Sequence, residues 1–201
     1  LSVGTDSIIA AGMVEEVTKR LPADLSVLFL PVQAVGKSNE HLRSPGTITL
    51  SAETLIRAWT EIGESVARAG IRKLVIVNSH GGNVEIMGIV ARELRIRCQM
   101  LVAQCAWRRL GVPQGLFSDT ENNFGIHGGD FETSVMLHFA PDRVRKDKVA
   151  DFVPKSIQMT GDYKQLRMTG FTSMACIAEH NHPAGVAGEA HLATAEKGAK
   201  A

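Results

Sequence analysis

Apolar side chains recur at helical spacing over residues 7–21 (Ile8, Ile9, Ala11, Val14, Val17, Leu21), and Pro22 closes the pattern. A continuous apolar run follows at 25–32, of strand length and without alternation, which predicts a strand buried on both faces. A polar loop containing Gly and Pro then covers 36–47. Ser51 is placed to cap a second helix, with Ala52 and Glu53 in its first turn, running to about Ala69 and stopped by Gly70. Residues 73–77 (Lys-Leu-Val-Ile-Val) form the clearest strand, read as a buried one, and lead straight into Asn78-Ser79-His80-Gly81-Gly82-Asn83. A third helix is predicted over 84–97, another strand over 99–106, a long Gly/Asn-rich loop over 110–126, and a short helix over 130–139. Residues 141–182 are irregular and mixed in charge, and 190–201 open a helix. Strand–helix–strand alternation of this kind predicts an α/β sandwich with a mostly parallel sheet.

Composition narrows the class without naming it. The 201 residues, 44% hydrophobic and 21% charged, suit one globular domain that folds without disulfides. Twenty-two basic against 21 acidic side chains leave a net charge of +1, so no global field recruits nucleic acid or an anionic membrane. The longest apolar run is far too short to span a bilayer. Cys98, Cys105 and Cys176 form no CxxC pair and no even framework, which points to the reducing cytoplasm. Cys98 and Cys105 read as small core residues.

Ligands of an open parallel sheet collect beyond the carboxyl ends of its strands. Here that rule selects the loops after Val32, Val77 and Ala106. In the turn after Val77, paired Gly81 and Gly82 let the backbone approach a ligand closely, and His80 can serve as metal ligand or proton shuttle. The alternative is a plain turn with a hydrogen-bonded histidine and Asn83 capping the next helix. In His127-Gly128-Gly129-Asp130-Phe131-Glu132, the two carboxylates suit the positive end of the following helix, while Glu132 can instead face a site. Asp6, in Val3-Gly4-Thr5-Asp6, reads first as a helix cap. Glu40 and His41 are adjacent, so in an extended segment they point opposite ways and suit substrate shaping better than sharing an ion. Trp107 can face the same pocket. His138, His180, His182 and His191 read as surface or structural, and the charges of 143–148 as a solvated face.

The leading VGTD, the NEHLRSPGT loop, the NSHGGN turn, the HGGDFETS segment and the late PAGVAGEAHLATAEKG stretch, in this order, resemble the creatininase (creatinine amidohydrolase) family. The resemblance covers nearly the whole chain. It implies a three-layer αβα sandwich with a mostly parallel sheet, in a single domain over 1–201. It also implies a metal-dependent hydrolase acting on non-peptide C–N bonds of small cyclic or formyl amides, commonly assembled as a homo-oligomeric hexamer. Family activities include creatinine ring opening, a formamidopyrimidine deformylation, and maturation of a short redox-cofactor peptide.

Residue by residue, Asp6 matches the family's bridging carboxylate between two metal ions and His80 a ligand of one of them. Where creatininase has a glutamate ligand two residues later, this chain has Gly82, and Glu132 is the implied substitute, both ligand and part of the catalytic set. His127 matches the histidine that moves protons during cleavage. The implied cofactor is one or two divalent ions, zinc, manganese or iron, polarising the carbonyl and activating water. The amides near Gly81 and Gly82 would face the tetrahedral oxyanion. The expected partner is a small-molecule amide, with no nucleic acid and no membrane. The family's E-x-H ligand motif would precede Leu1, so the expectation is a longer protein, with a first strand carrying two ligands ahead of Leu1 and a final helix continuing past Ala201. A tryptophan that creatininase carries shortly before its catalytic histidine is replaced around Asn123 and Phe124, which argues against creatinine as substrate. The rival readings are a peptide-trimming member of the family and an inactive member acting in binding or assembly.

Overall fold

A computed structural model of the chain describes residues 1–167, 175 and 177–201; Cys176 therefore lies outside the described residues. The chain folds as two compact units. Unit one comprises Leu1–Gly12, Glu40–Thr47 and Val112–Ala201, and unit two Met13–Asn39 and Ile48–Gly111. The first helix, α1 (Thr5–Arg20), contributes residues to both.

Unit two is built on a parallel pair of strands. Helix α2 (Ala52–Arg68) precedes β1 (Lys73–Asn78), and α3 (Val84–Cys98) leads to β2 (Leu101–Ala106). The strands pair in register from Lys73–Leu101 to Asn78–Ala106, the right order for a β-α-β crossover. Ser51 caps α2 as its type predicts: its hydroxyl accepts the Thr54 N–H at 3.1 Å. Gly70, at φ 88°, takes the left-handed turn that ends the helix where a Cβ would be strained. Leu55, Ala67, Ile86, Val90, Leu94 and Met100 form the core, and Leu74, Ile76, Val102 and Cys98 pack against it. A Cβ on Gly63 would stand 2.2 Å from Leu94 Cδ1, so the two helices touch at that point because one residue there has no side chain. Ser51→Ala is expected to cost about 1 kcal/mol, read as a modest drop in melting temperature.

Two expectations fail in this unit. Residues 25–32 belong to no strand, and Leu25, Leu28, Phe29 and Leu30 are exposed. A strand persists only against a neighbour that accepts its backbone hydrogen bonds. Among the described residues the sheet contains β1 and β2 alone, and Pro31 removes one donor from the run. The second concerns β1, whose apolar run predicts a buried strand. It alternates instead, with Leu74 and Ile76 inward, while Val75 and Val77 are 61% and 38% exposed. Helices cover one face of the pair only within this unit.

Unit one is helical. Helix α5 (Asp130–Phe139) lies at its centre, with Val135 and Met136 wholly buried. The segment 110–126, which reads as a loop, contains α4 (Asp119–Phe124), capped by the Ser118 hydroxyl on the Glu121 N–H. Two short helices, α6 (Lys155–Asp162) and α7 (Ala178–Asn181), lie within the stretch that reads as irregular. The C-terminal helix α8 (Ala195–Lys200) docks on α5, where a Cβ on Gly198 would meet the Ser134 carbonyl oxygen at 2.1 Å. Lys197 pairs with the buried Asp130, whose other oxygen accepts the Ser134 hydroxyl at 2.9 Å.

Among the described residues no helix is long and apolar enough to cross a membrane.

Candidate active site

In unit one the chemistry starts from the loop that carries Glu40. Residues Asn39–His41 form one turn of 3-10 helix rather than an extended segment. With three residues per turn, adjacent side chains diverge by about 120° instead of 180°. Glu40 Oε1 therefore comes within 3.9 Å of His41 Nε2, and the inference that these neighbours must point apart is corrected. The His41 carbonyl accepts the Ser44 N–H and the Thr47 hydroxyl, both at 2.9 Å, which closes the loop around it.

His127 is held from a different part of the chain. Its backbone pairs with Ala187 in an isolated antiparallel bridge, the Ala187 N–H donating to the His127 carbonyl at 2.7 Å. The His127 ring meets the His41 ring edge-on, with centroids 4.4 Å apart and planes at 74°. Unit one thus gathers one carboxylate and two imidazoles at Glu40, His41 and His127.

Glu132 is the third residue of α5. Gly129, at the cap position, has no side chain to offer, and Glu132 reaches back so that its Oε2 accepts the Gly128 N–H at 2.7 Å. Asp130 turns the other way, into the ion pair with Lys197. Asp6 lies one residue inside α1, so it is a first-turn carboxylate and not the cap. The Ser2 carbonyl instead takes the Thr5 N–H and hydroxyl, at 3.2 and 2.7 Å.

In unit two the in-register ends of β1 and β2 put the turn after Asn78 and the segment after Ala106 at one edge. His80 has extended backbone (φ −134°, ψ 126°), followed by a 3-10 turn through Gly81–Asn83. Trp107 reaches that turn directly: its Nε1–H donates to Ser79 Oγ at 3.1 Å. Around Gly81 a Cβ would meet nothing within 4 Å, so chain crowding does not dictate that glycine. Asn83 does not cap α3. Its Oδ1 accepts the Lys37 N–H at 2.9 Å and its Nδ2 donates to Asn78 Oδ1 at 3.2 Å.

Glu121, Glu189 and Asn78 do not stand out in the sequence. Glu121 is buried, taking the Phe131 and Glu189 backbone N–H groups at 3.1 and 3.0 Å, and the Glu189 carboxylate accepts the Ser118 hydroxyl. The Ser118-Asp119-Thr120-Glu121 spacing, a serine three residues before a glutamate, is the available signal for that helix start.

The creatinine amidohydrolase family model, creatininase, matches residues 1–201. A mycofactocin precursor peptide peptidase of Mycolicibacterium smegmatis is 33% identical over 151 residues, covering 74% of this chain and 56% of its own. A creatinine amidohydrolase of Pseudomonas putida is 34% identical over 154 residues, covering 69% and 59%. The chain thus spans a little over half the length of these relatives. Among solved structures, a mutant creatininase of Zn–Zn type is similar over 98% of this chain and 76% of its own, at 27% identity and a TM-score of 0.68. The small parallel sheet flanked by helices is the creatininase α/β fold, and the chain belongs to the creatininase family.

Proposed function

We propose that this chain is a metal-dependent amidohydrolase that cleaves a non-peptide C–N bond in a small cyclic or formyl amide. The observation that carries this reading is the grouping of Glu40, His41 and His127, a carboxylate and two imidazoles, in a chain of the creatininase family. Around this grouping the chain offers carboxylate oxygen and imidazole nitrogen without thiolate, the donor types that suit a divalent ion, and the Glu40 and His41 polar atoms lie near one another.

Asp6, His80 and Glu132 are the proposed metal-holding side chains, for one or two ions of zinc, manganese or iron. Bound there, the metal would supply a water of lowered pKa and polarise the substrate carbonyl. The chain's own groups do the rest. Glu132 keeps one oxygen on the Gly128 amide, which aims the carboxylate. The backbone N–H groups of Gly81 and Gly82 would stabilise negative charge on the carbonyl oxygen. His127 delivers a proton to the departing nitrogen. Glu40, His41 and Trp107 shape the substrate's surroundings, and the Ser79 contact fixes the indole. A homo-oligomer, hexameric as in the family, and a cytoplasmic setting complete the proposal.

A second reading, trimming of a short precursor peptide, is favoured by the mycobacterial relatives named as mycofactocin precursor peptide peptidases. The full-length protein, stripped with a chelator and reloaded with zinc or manganese, is assayed on formyl amides, cyclic amides and short peptides. Hydrolysis should vanish on stripping and return on reloading, with preference for the small amides; peptide-only turnover would support the second reading. Asp6→Ala and His80→Ala should each lose bound metal and hydrolysis together, and full metal content with full activity in either variant overturns the ligand assignment.

A further inference from the structure

The side chain of Asn78, only 6% exposed, closes on the backbone of His80 from both sides. Its Oδ1 accepts the His80 N–H at 3.1 Å, and its Nδ2 donates to the His80 carbonyl at 2.7 Å. A carboxamide accepts at one atom and donates at the other, which is what the two His80 peptide groups require. The neighbours decide which way the amide faces. Oδ1 meets two donors, His80 N–H and Asn83 Nδ2, while Nδ2 meets one acceptor, so a flipped amide would oppose donor to donor. Asn83 is itself tied to the Lys37 N–H, and the Asn78 Cα sits in the last register pair of the parallel strands.

We infer that Asn78 is the positioning residue for His80, with Asn83 orienting the Asn78 amide; this rests on the reading of His80 as a metal ligand. The clamp fixes the two peptide groups flanking the His80 Cα. With the backbone on both sides of the Cα fixed, the cost of ordering the ring on a metal is reduced in advance. A turn serving only to connect β1 to α3 needs no buried amide bridging both peptide groups of one histidine.

The test uses the full-length protein with zinc as the probe, competed against a chromophoric chelator, beside melting curves and histidine-selective 15N NMR of the metal-free form. Asn78→Ala should weaken zinc binding about 10- to 100-fold. It should also broaden or split the His80 ring signals while the other histidines keep theirs. Asn83→Ala keeps the Asn83 backbone N–H on the His80 carbonyl and removes only the side chain, which bonds Asn78 and not His80; it should move both readouts the same way by less, and it serves if Asn78→Ala does not fold. Wild-type zinc affinity and a single sharp His80 signal in the folded variants overturn the inference, provided His80→Ala itself loses zinc. If His80→Ala binds zinc like the wild type, the ligand reading fails instead, and the positioning role with it.

Discussion

Replacing Glu121 with alanine is expected to destabilise the protein by about 3–5 kcal/mol, a fall in melting temperature of about 6–20 °C for a chain of this size. Glu121 is 1% exposed, and it satisfies the backbone N–H groups of Phe131 in α5 and of Glu189, in the segment that leads into the C-terminal helix. Alanine would leave both donors buried without that acceptor, at about 1–3 kcal/mol each, and open a cavity where the carboxylate stood. The glycines around it show how closely the space is filled. A Cβ on Gly125, Gly129 or Gly188 would come within 2.5–2.6 Å of a Glu121 carboxyl atom. Glutamine retains the shape but turns one acceptor into a donor facing an N–H, so Glu121→Gln should recover only part of the loss. Chemical denaturation of the wild type and both variants measures the ordering. A Glu121→Ala variant within about 1 kcal/mol of the wild type would show that the carboxylate does not hold these segments.

The parts of this molecule legible in its sequence are those whose cause is local. Helix α2 carries its start in Ser51 and its end in Gly70, and β1 and α5 are short apolar segments bounded by their own flanking residues, so the existence of each, though not which face of β1 is buried, follows from its own residues. Residues 25–32 read as a strand only if apolar composition means burial. Burial depends on a neighbour, and no spacing within the run reports whether one exists. Helix α4 escapes notice for the opposite reason. Asp119-Thr120-Glu121-Asn122-Asn123-Phe124 has almost no apolar stripe, and its stability comes from the Ser118 cap and from Glu121 turning inward. The site divides along the same line. His80, His127 and Glu132 announce themselves by glycine-flanked turns at element ends. The convergence of Glu40 and His41 is invisible in the sequence, because it depends on a single 3-10 turn that reads as a polar loop.

His127→Ala is expected to lower turnover of an unactivated amide about 100- to 10,000-fold, the usual range for losing a positioned general acid. The loss should depend on the leaving group. An amine departing from an ordinary amide is a poor leaving group and needs its nitrogen protonated as the C–N bond breaks; an anilide with electron-withdrawing substituents leaves far more readily. If His127 supplies that proton, the variant should be severely impaired on the first and only mildly on the second, whereas loss of a metal ligand would impair both alike. Metal content separates the cases again: His127→Ala should retain it and His80→Ala should not. The bridge to Ala187 is made by backbone, so the variant should preserve the local fold, which near-wild-type melting would confirm. The ring contact gives one more handle. With centroids 4.4 Å apart, His41 buttresses the His127 imidazole, and truncating His41 should loosen that ring without removing it. His41→Ala should therefore show a smaller loss with the same leaving-group trend. Equal losses on both classes of amide in His127→Ala, with metal retained, would remove His127 from proton transfer and leave it a part in holding the substrate.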